Sequence, residues 1–279
     1  MSGRLVVCPT PIGNLEDVTL RVLAALRAAD LVACEDTRHT RKLLDRYGVT
    51  GALVSYHEHN ERERAGELVA RMRSGAVVAL VSDSGMPLVS DPGFILVQAC
   101  IAAGLSVEVL PGPSSALAAL VASGLAAERW RFVGFLPRKK AELERLVVGT
   151  QETLVAFESP KRLVATLSLL AERDPGRQVA VCRELTKLHE EVRRGSAAEI
   201  GSHYEREPPR GEVVLVVAAA PPGAGAPDMA ERALHALRAL VDAGARPRPA
   251  AKALAELTGV PANRLYRALT AGDGAERSA

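Results

Sequence analysis

The chain has 279 residues, 48% of them apolar and 24% charged, a balance that supports a folded core and excludes a disordered chain. Aromatics make up only 3% and the formal net charge is +2, so composition argues neither for a stacking platform for single strands nor for a strongly basic nucleic-acid binder. No apolar run approaches the ~18 residues of a membrane span, and four cysteines without a CxxC pair (Cys8, Cys34, Cys100, Cys182) read as reduced thiols of a cytoplasmic protein.

In chain order, short β-branched runs at Leu5–Cys8, Leu31–Cys34, Leu53–Tyr56, Val77–Val81 and Val107–Leu110 predict strands. Amphipathic stretches at Asp17–Ala29, Thr37–Tyr47, Glu61–Ser74 and Pro92–Ala103 predict the helices between them. Alternation at this spacing predicts an open, mostly parallel α/β sheet domain over residues 1–120, with ligands at the carboxyl edge of its strands. Residues 121–220 read differently. Strands at Arg131–Phe135, Leu154–Phe157, Gln178–Arg183, Glu190–Arg193 and Glu212–Ala218 are interrupted by helices at Pro160–Glu172 and Ala197–Glu205 only, which predicts hairpins and a mixed α+β domain. The Pro/Gly/Ala run 221–227 reads as a linker. Beyond it, helices at Met229–Ala243, Pro249–Leu257 and Ala262–Leu269 predict a small helical appendage over 228–272, with the tail after Thr270 frayed.

The loops at the predicted strand ends carry the unusual residues. After the first strand comes Pro9-Thr10-Pro11-Ile12-Gly13-Asn14, stiffened by two prolines and able to reverse at Gly13. It has no GKS/T and is not a phosphate loop. The second strand ends in Glu35-Asp36-Thr37-Arg38, two carboxylates where burial is costly unless they are paired or useful: either Asp36 or Thr37 caps the next helix with Arg38 as ion-pair partner, or one carboxylate is a base or accepts from a substrate hydroxyl. His57 and His59 lack a third partner for a metal pattern, and Asn60 with Glu63 spells a helix cap. The fourth strand leads into Ser82-Asp83-Ser84-Gly85-Met86, where an acidic side chain beside a turning backbone suits a ribose hydroxyl or a cationic ligand group. In the same loop Asp91 and Pro92 read as N-cap and first residue of the next helix. Pro111-Gly112-Pro113-Ser114-Ser115-Ala116 makes a rigid turn into a helix whose free N–H groups face the same edge. Charged groups past two later strands (Glu158, Lys161, Arg162; Arg183, Glu184, Lys187) are ion pairs or site residues. Arg38, Arg41, Lys42 and Arg46 on one helix face, and Arg138, Lys139 and Lys140, form two basic stripes able to grip a phosphate backbone.

Taken together, PTPIGNLEDVT (9–19), CEDTRHTRKLL (34–44), HEHNE (57–61), ALVSDSGMPLVSDPG (79–93), LPGPSSA (110–116), GFLPRK (134–139), FESPKRL (157–163), RELTKLHEE (183–191) and GEVVLVV (211–217) resemble S-adenosylmethionine-dependent methyltransferases of the tetrapyrrole methylase fold. Within that class they are most similar to the branch that methylates a cytidine 2′-hydroxyl of 16S rRNA. The corrin-pathway relatives carry GGDP where this chain has Ser82-Asp83-Ser84-Gly85, and their first loop is richer in glycine. The resemblance implies a two-domain α/β homodimer with S-adenosylmethionine in the interdomain cleft, acting on a decoding-site cytidine of the small ribosomal subunit; the sequence itself shows no metal requirement. It places Ile12, Gly13, Asp83, Gly85, Met86, Ser114, Ser115, Ala116, Phe157 and Leu185 at the cofactor, and Arg38, Arg41, Lys42, Arg138, Lys139 and Lys140 at RNA. Asp36 is the favoured base, with Glu35, Glu184 and Lys187 as alternatives; the lysine qualifies only if its pKa falls. A tetrapyrrole C-methyltransferase and a catalytically silent RNA-binding protein are the competing readings.

Overall fold

The computed structural model describes residues 3–220 and 229–275, so the linker read at 221–227 lies outside the described residues. The chain divides into two compact units, 1–147 with 152–219, and 148–151 with 220–279.

The larger unit holds two five-stranded sheets. Strands β1 (Arg4–Val7), β2 (Leu31–Cys34), β3 (Leu53–Ser55), β4 (Val77–Leu80) and β5 (Ser106–Val109) form the first, in the order β3-β2-β4-β1-β5 with every pairing parallel. Side chains alternate across it. Leu5, Val7, Val78 and Leu80 pack under α3 (Glu61–Arg73) and α4 (Phe94–Ala102), whereas Val6, Cys8, Ala79 and Val81 pack under α1 (Leu20–Ala28) and α2 (Thr37–Arg46). Covering both faces explains the nearly unbroken apolar runs. All five strands therefore end at one edge, and their following loops share it.

Local chemistry moved some boundaries. The helix expected from Asp17 is a 3-10 turn at Leu15–Asp17, capped by Asn14, followed by α1, which Thr19 caps by accepting from the Val22 N–H at 3.1 Å. Asn60 precedes α3 but makes no side-chain cap: its amide accepts from the His57 N–H at 2.9 Å and donates to the Ser55 carbonyl at 3.2 Å, fastening the turn instead. Asp91 and Pro92 do not open the next helix either. Leu88 (φ 71°) and Ser90 (φ 67°) hold the chain off helical geometry, and α4 begins at Phe94 behind Gly93, whose φ of 138° is open to glycine.

Helix α5 (Ser115–Ser123) follows β5 but packs on the second sheet, where Ala116, Ala119 and Leu120 meet Val155, Ala180, Val214 and Val216. That sheet comprises β6 (Trp130–Phe135), β7 (Thr153–Glu158), β8 (Gln178–Arg183), β9 (Glu191–Ser196) and β10 (Val213–Val217) in the order β6-β7-β10-β8-β9. Only β6 and β7 are parallel. Parallel neighbours need a crossover, and α6 (Lys140–Val148) supplies one that the sequence reading lacked. Helices α7 (Pro160–Arg173) and α8 (Ala197–Arg206) complete this part, the latter closed by a Ser196–Glu199 capping box. Because β10 runs against β7 and β8, its first residue Val213 lies beside Glu158 and Arg183.

In the smaller unit, α9 (Met229–Asp242), α10 (Pro247–Thr258) and α11 (Ala262–Ala275) share a core of Ala233, Leu237, Ala251, Val260, Leu265 and Leu269. Pro247 starts α10 two residues early and Gly259, in the left-handed region, ends it. Helix α11 continues through the stretch expected to fray.

Candidate active site

The loops after β1 and β4 are joined backbone to backbone. Thr10 and Gly85 exchange two N–H···O bonds at 2.9 and 3.1 Å, and the Thr10 hydroxyl donates to the Ser82 carbonyl at 3.0 Å. Gly85 has φ +80°, and a Cβ there would stand 3.2 Å from the Ile12 side chain. The first loop also reaches the second sheet: the Asn14 N–H donates to the Thr186 hydroxyl at 3.0 Å, and a Cβ on Gly13 would fall 2.5 Å from Lys187 Cγ. Positive φ is thus the main reason for glycine at 85, and close approach of the second sheet's loop the reason at 13.

Two adjoining cavities result. The larger, about 450 Å³, is lined by Ile12, Gly85 and Met86 from the first sheet's loops, Ser114 and Ser115 from the start of α5, and Phe135, Phe157 and Leu185 from the second sheet. Its carboxylates are Asp91, Glu158 and Glu212. The smaller, about 260 Å³, contains Gly13, His39, Lys42, Asp83 and Lys187, and shares Ile12, Ser84 and Glu212 with the first. Of the residues expected at a cofactor, Ile12, Gly85, Met86, Ser114, Ser115, Phe157 and Leu185 are brought together in the larger cavity. Gly13 and Asp83 face the smaller one, and Ala116 lines neither, being buried in the core between α5 and the second sheet.

The expected bases separate. Asp36 caps α2, accepting from the Arg38 N–H at 2.8 Å, and pairs with the Arg38 guanidinium at 3.1 Å. Those hydrogen bonds hold its pKa down to about 2, and it lines neither cavity. The capping alternative is therefore the one seen. Glu35 is half-buried, and burial followed by repulsion from Asp83 raises its pKa. Glu184 accepts from the Glu212 N–H and from Lys187, both at 2.9 Å, which lowers its pKa. Burial alone would lower Lys187, but its bonds to Glu184 and Glu212 outweigh that and raise it. The condition for a neutral lysine is not met.

Asp91 is the residue that the sequence reading left to structure. It lines the larger cavity, and burial, Glu35 and Asp83 push its pKa up to about 7. The only signal was a second acidic residue in an already unusual loop. Glu158 was also underrated: wholly buried, it accepts from the Ser159 N–H at 2.7 Å and the Thr166 hydroxyl at 2.6 Å, with Arg162 at 3.4 Å. Arg38, Arg41, Lys42, Arg138, Lys139 and Lys140 are all exposed. Lys139 and Lys140 pair with Glu142 and Glu172 at 3.2 and 3.8 Å, which weakens but does not hide their charge.

Residues 4–201 match the model of the tetrapyrrole (corrin/porphyrin) methylases. A protein of Mesorhizobium japonicum named ribosomal RNA small subunit methyltransferase I is 45% identical, the match covering 97% of this chain and 94% of that one. The chain belongs to this methyltransferase I family of tetrapyrrole methylases. A second family member, from Thermotoga maritima, is 43% identical over 77% of this chain and 98% of its own length. Among solved structures, uroporphyrin-III-C-methyltransferase of Thermus thermophilus superimposes with a TM-score of 0.58 at 26% identity, covering 78% of this chain and 94% of that one. The paired sheets of the methyltransferase I family member described here are thus the architecture of the wider fold.

Proposed function

We propose that this chain transfers a methyl group from S-adenosylmethionine to the ribose 2′-hydroxyl of a decoding-site cytidine in 16S rRNA of the small ribosomal subunit. The observation that carries the reading is the pair of adjoining cavities with different chemistry. The larger suits the cofactor in size. Apolar walls from Ile12, Met86, Phe135 and Phe157 fit its adenosine, the first-turn N–H groups at Ser115 and Ala116 suit an anionic group, and carboxylates suit a cationic one. When bound, S-adenosylmethionine supplies a methyl already activated for displacement. The smaller cavity, with Lys42, Asp83 and Lys187 in its wall, receives the acceptor nucleotide.

The protein's share is positioning and charge. Lys187, kept protonated by Glu184 and Glu212, stabilises the negative charge that grows on the attacking oxygen. Asp83, whose Oδ1 accepts from the Asp36 N–H at 3.1 Å, takes the hydroxyl proton as the transition state forms. Asp36 fixes α2, so that Arg38, Arg41 and Lys42 meet the phosphate backbone together with Arg138, Lys139 and Lys140.

The chain acts as a cytoplasmic homodimer in this reading. Exposed Phe94 and Ile101 on α4 and Val109 on edge strand β5 support a partner face, and among the described residues no helix is long and apolar enough to cross a membrane. Methyl transfer from labelled S-adenosylmethionine to small subunits lacking decoding-site methylation tests the function, with the product mapped by resistance of its ribose to alkaline cleavage. Label at one 2′-O-methylcytidine is expected. No transfer to subunits or naked rRNA, with cofactor binding intact, would shift the acceptor to a small molecule such as a tetrapyrrole.

A further inference from the structure

Three carboxylates line the larger cavity, and two already have cations: Glu158 has Arg162 at 3.4 Å and Glu212 has Lys187 at 3.1 Å. Among the described residues no ion pair is formed by the third, Asp91. Its surroundings are of like charge, with Glu35 from the end of β2 and Asp83 from the loop after β4 facing it, and with the Ser82 hydroxyl as a hydrogen-bonding neighbour. His57 acts on Glu35 from the loop after β3. Nor is Asp91 needed to start a helix, since α4 begins at Phe94 behind Gly93. The backbone on its N-terminal side is strained instead: Leu88 and Ser90 both adopt positive φ, which side chains ordinarily avoid. A half-buried carboxylate with no cation, held at a cavity wall beside residues of positive φ, is an arrangement that a positively charged ligand would complete.

We propose that Asp91 receives the positive charge of the methyl donor, and that donor binding is thereby coupled to release of a proton from this carboxylate. The proposal rests on the larger cavity being the donor site. S-adenosylmethionine offers two cations, the sulfonium and the α-ammonium; S-adenosylhomocysteine keeps only the second. With the free carboxylate titrating near pH 7 and only its ionised form binding, affinity rises about twentyfold between pH 5.5 and 7.2. The donor's own ammonium stays mostly protonated over that range, so its titration changes the affinity by far less.

The test is calorimetric titration of the intact wild-type protein with each ligand at several pH values in that range, in two buffers of different ionisation enthalpy, repeated with Asp91→Asn and with Ser115→Phe, which fills the cavity. The wild type should show the pH-dependent affinity and release up to one proton per donor bound, most completely at the acid end. In Asp91→Asn the dependence should flatten, with binding at pH 7.2 weakened at least about tenfold. S-adenosylhomocysteine following the same pattern assigns Asp91 to the ammonium; a pH-independent S-adenosylhomocysteine affinity assigns it to the sulfonium. Wild-type binding with no proton exchange overturns the proposal without needing any variant to fold, as does a pH dependence that survives in Asp91→Asn. If Ser115→Phe abolishes binding in those cases, Asp91 alone was misassigned. If Ser115→Phe also binds normally, the cavity itself is not the donor site.

Discussion

The two sheets bring unlike materials to the same site. Loops of the parallel sheet contribute shape: Thr10 and Gly85 bond through backbone, Gly85 and Gly13 allow close approach, and prolines stiffen what lies between. The mixed sheet contributes charge held in networks, Glu158 with Thr166 and Arg162, and Lys187 between Glu184 and Glu212. Backbone-built walls fail sharply when a side chain intrudes, because nothing nearby can yield cheaply. Charge networks fail gradually in binding but steeply in turnover, since their role grows as charge develops.

The largest expected effect tests the shape side. Gly85→Val combines a positive φ with a Cβ against Ile12, so S-adenosylmethionine affinity should fall more than about a hundredfold, as measured by equilibrium dialysis. Near-normal affinity would show that the turn is not a cofactor wall. On the charge side, Lys187→Ala should lower kcat by roughly 10²–10³ while leaving cofactor affinity close to wild type. A matching loss of affinity would place Lys187 in the donor cavity instead.

Asp91 belongs to the shape side by location and to the charge side by chemistry, and its own pH dependence separates the two. In the free protein its pKa is raised above the unfolded value, so the folded state binds more protons between about pH 4 and 7 and this stabilisation is lost as pH rises through 7. Asp91→Asn should therefore melt higher than wild type at pH 8 in thermal scans without ligand, the difference closing towards pH 4. A constant difference across that range would contradict the assignment. The smallest effect is expected at Asp36: asparagine caps a helix as well as aspartate, so Asp36→Asn should shift stability by less than about 0.5 kcal/mol and leave turnover close to normal. A turnover loss comparable to that of Lys187→Ala would restore Asp36 as the base.

How far these roles could be read in advance followed from the range of the interactions. Val6, Ala79 and their neighbours announce buried parallel strands because both faces are covered, and the loop residues Gly85, Ser114 and Ser115 stand out as turn and helix-opening types. Helix α6 was missed because only Leu143 and Val147 are buried in it, beneath a run of lysines read as a basic patch. Asp91 was read as a cap because Ser-Asp-Pro-Gly spells one locally. Its place in the cavity follows from positive φ at Leu88 and Ser90, residue types that ordinarily avoid it. The smaller cavity depends on Gly13 meeting Lys187 across two sheets, a distance over which local patterns carry no information.

The four free cysteines are distributed among the cores: Cys8 and Cys34 under α1 and α2, Cys100 on the buried face of α4 in the core shared with α3, and Cys182 under α5. Burial raises the pKa of every one, so the intact fold shields all four from alkylating reagents. Labelling by a maleimide in mild denaturant then becomes a record of which core opens first. Read by peptide mass, the four adducts date the exposure of three layers, Cys8 and Cys34 reporting the same one, without any reporter having to be engineered in.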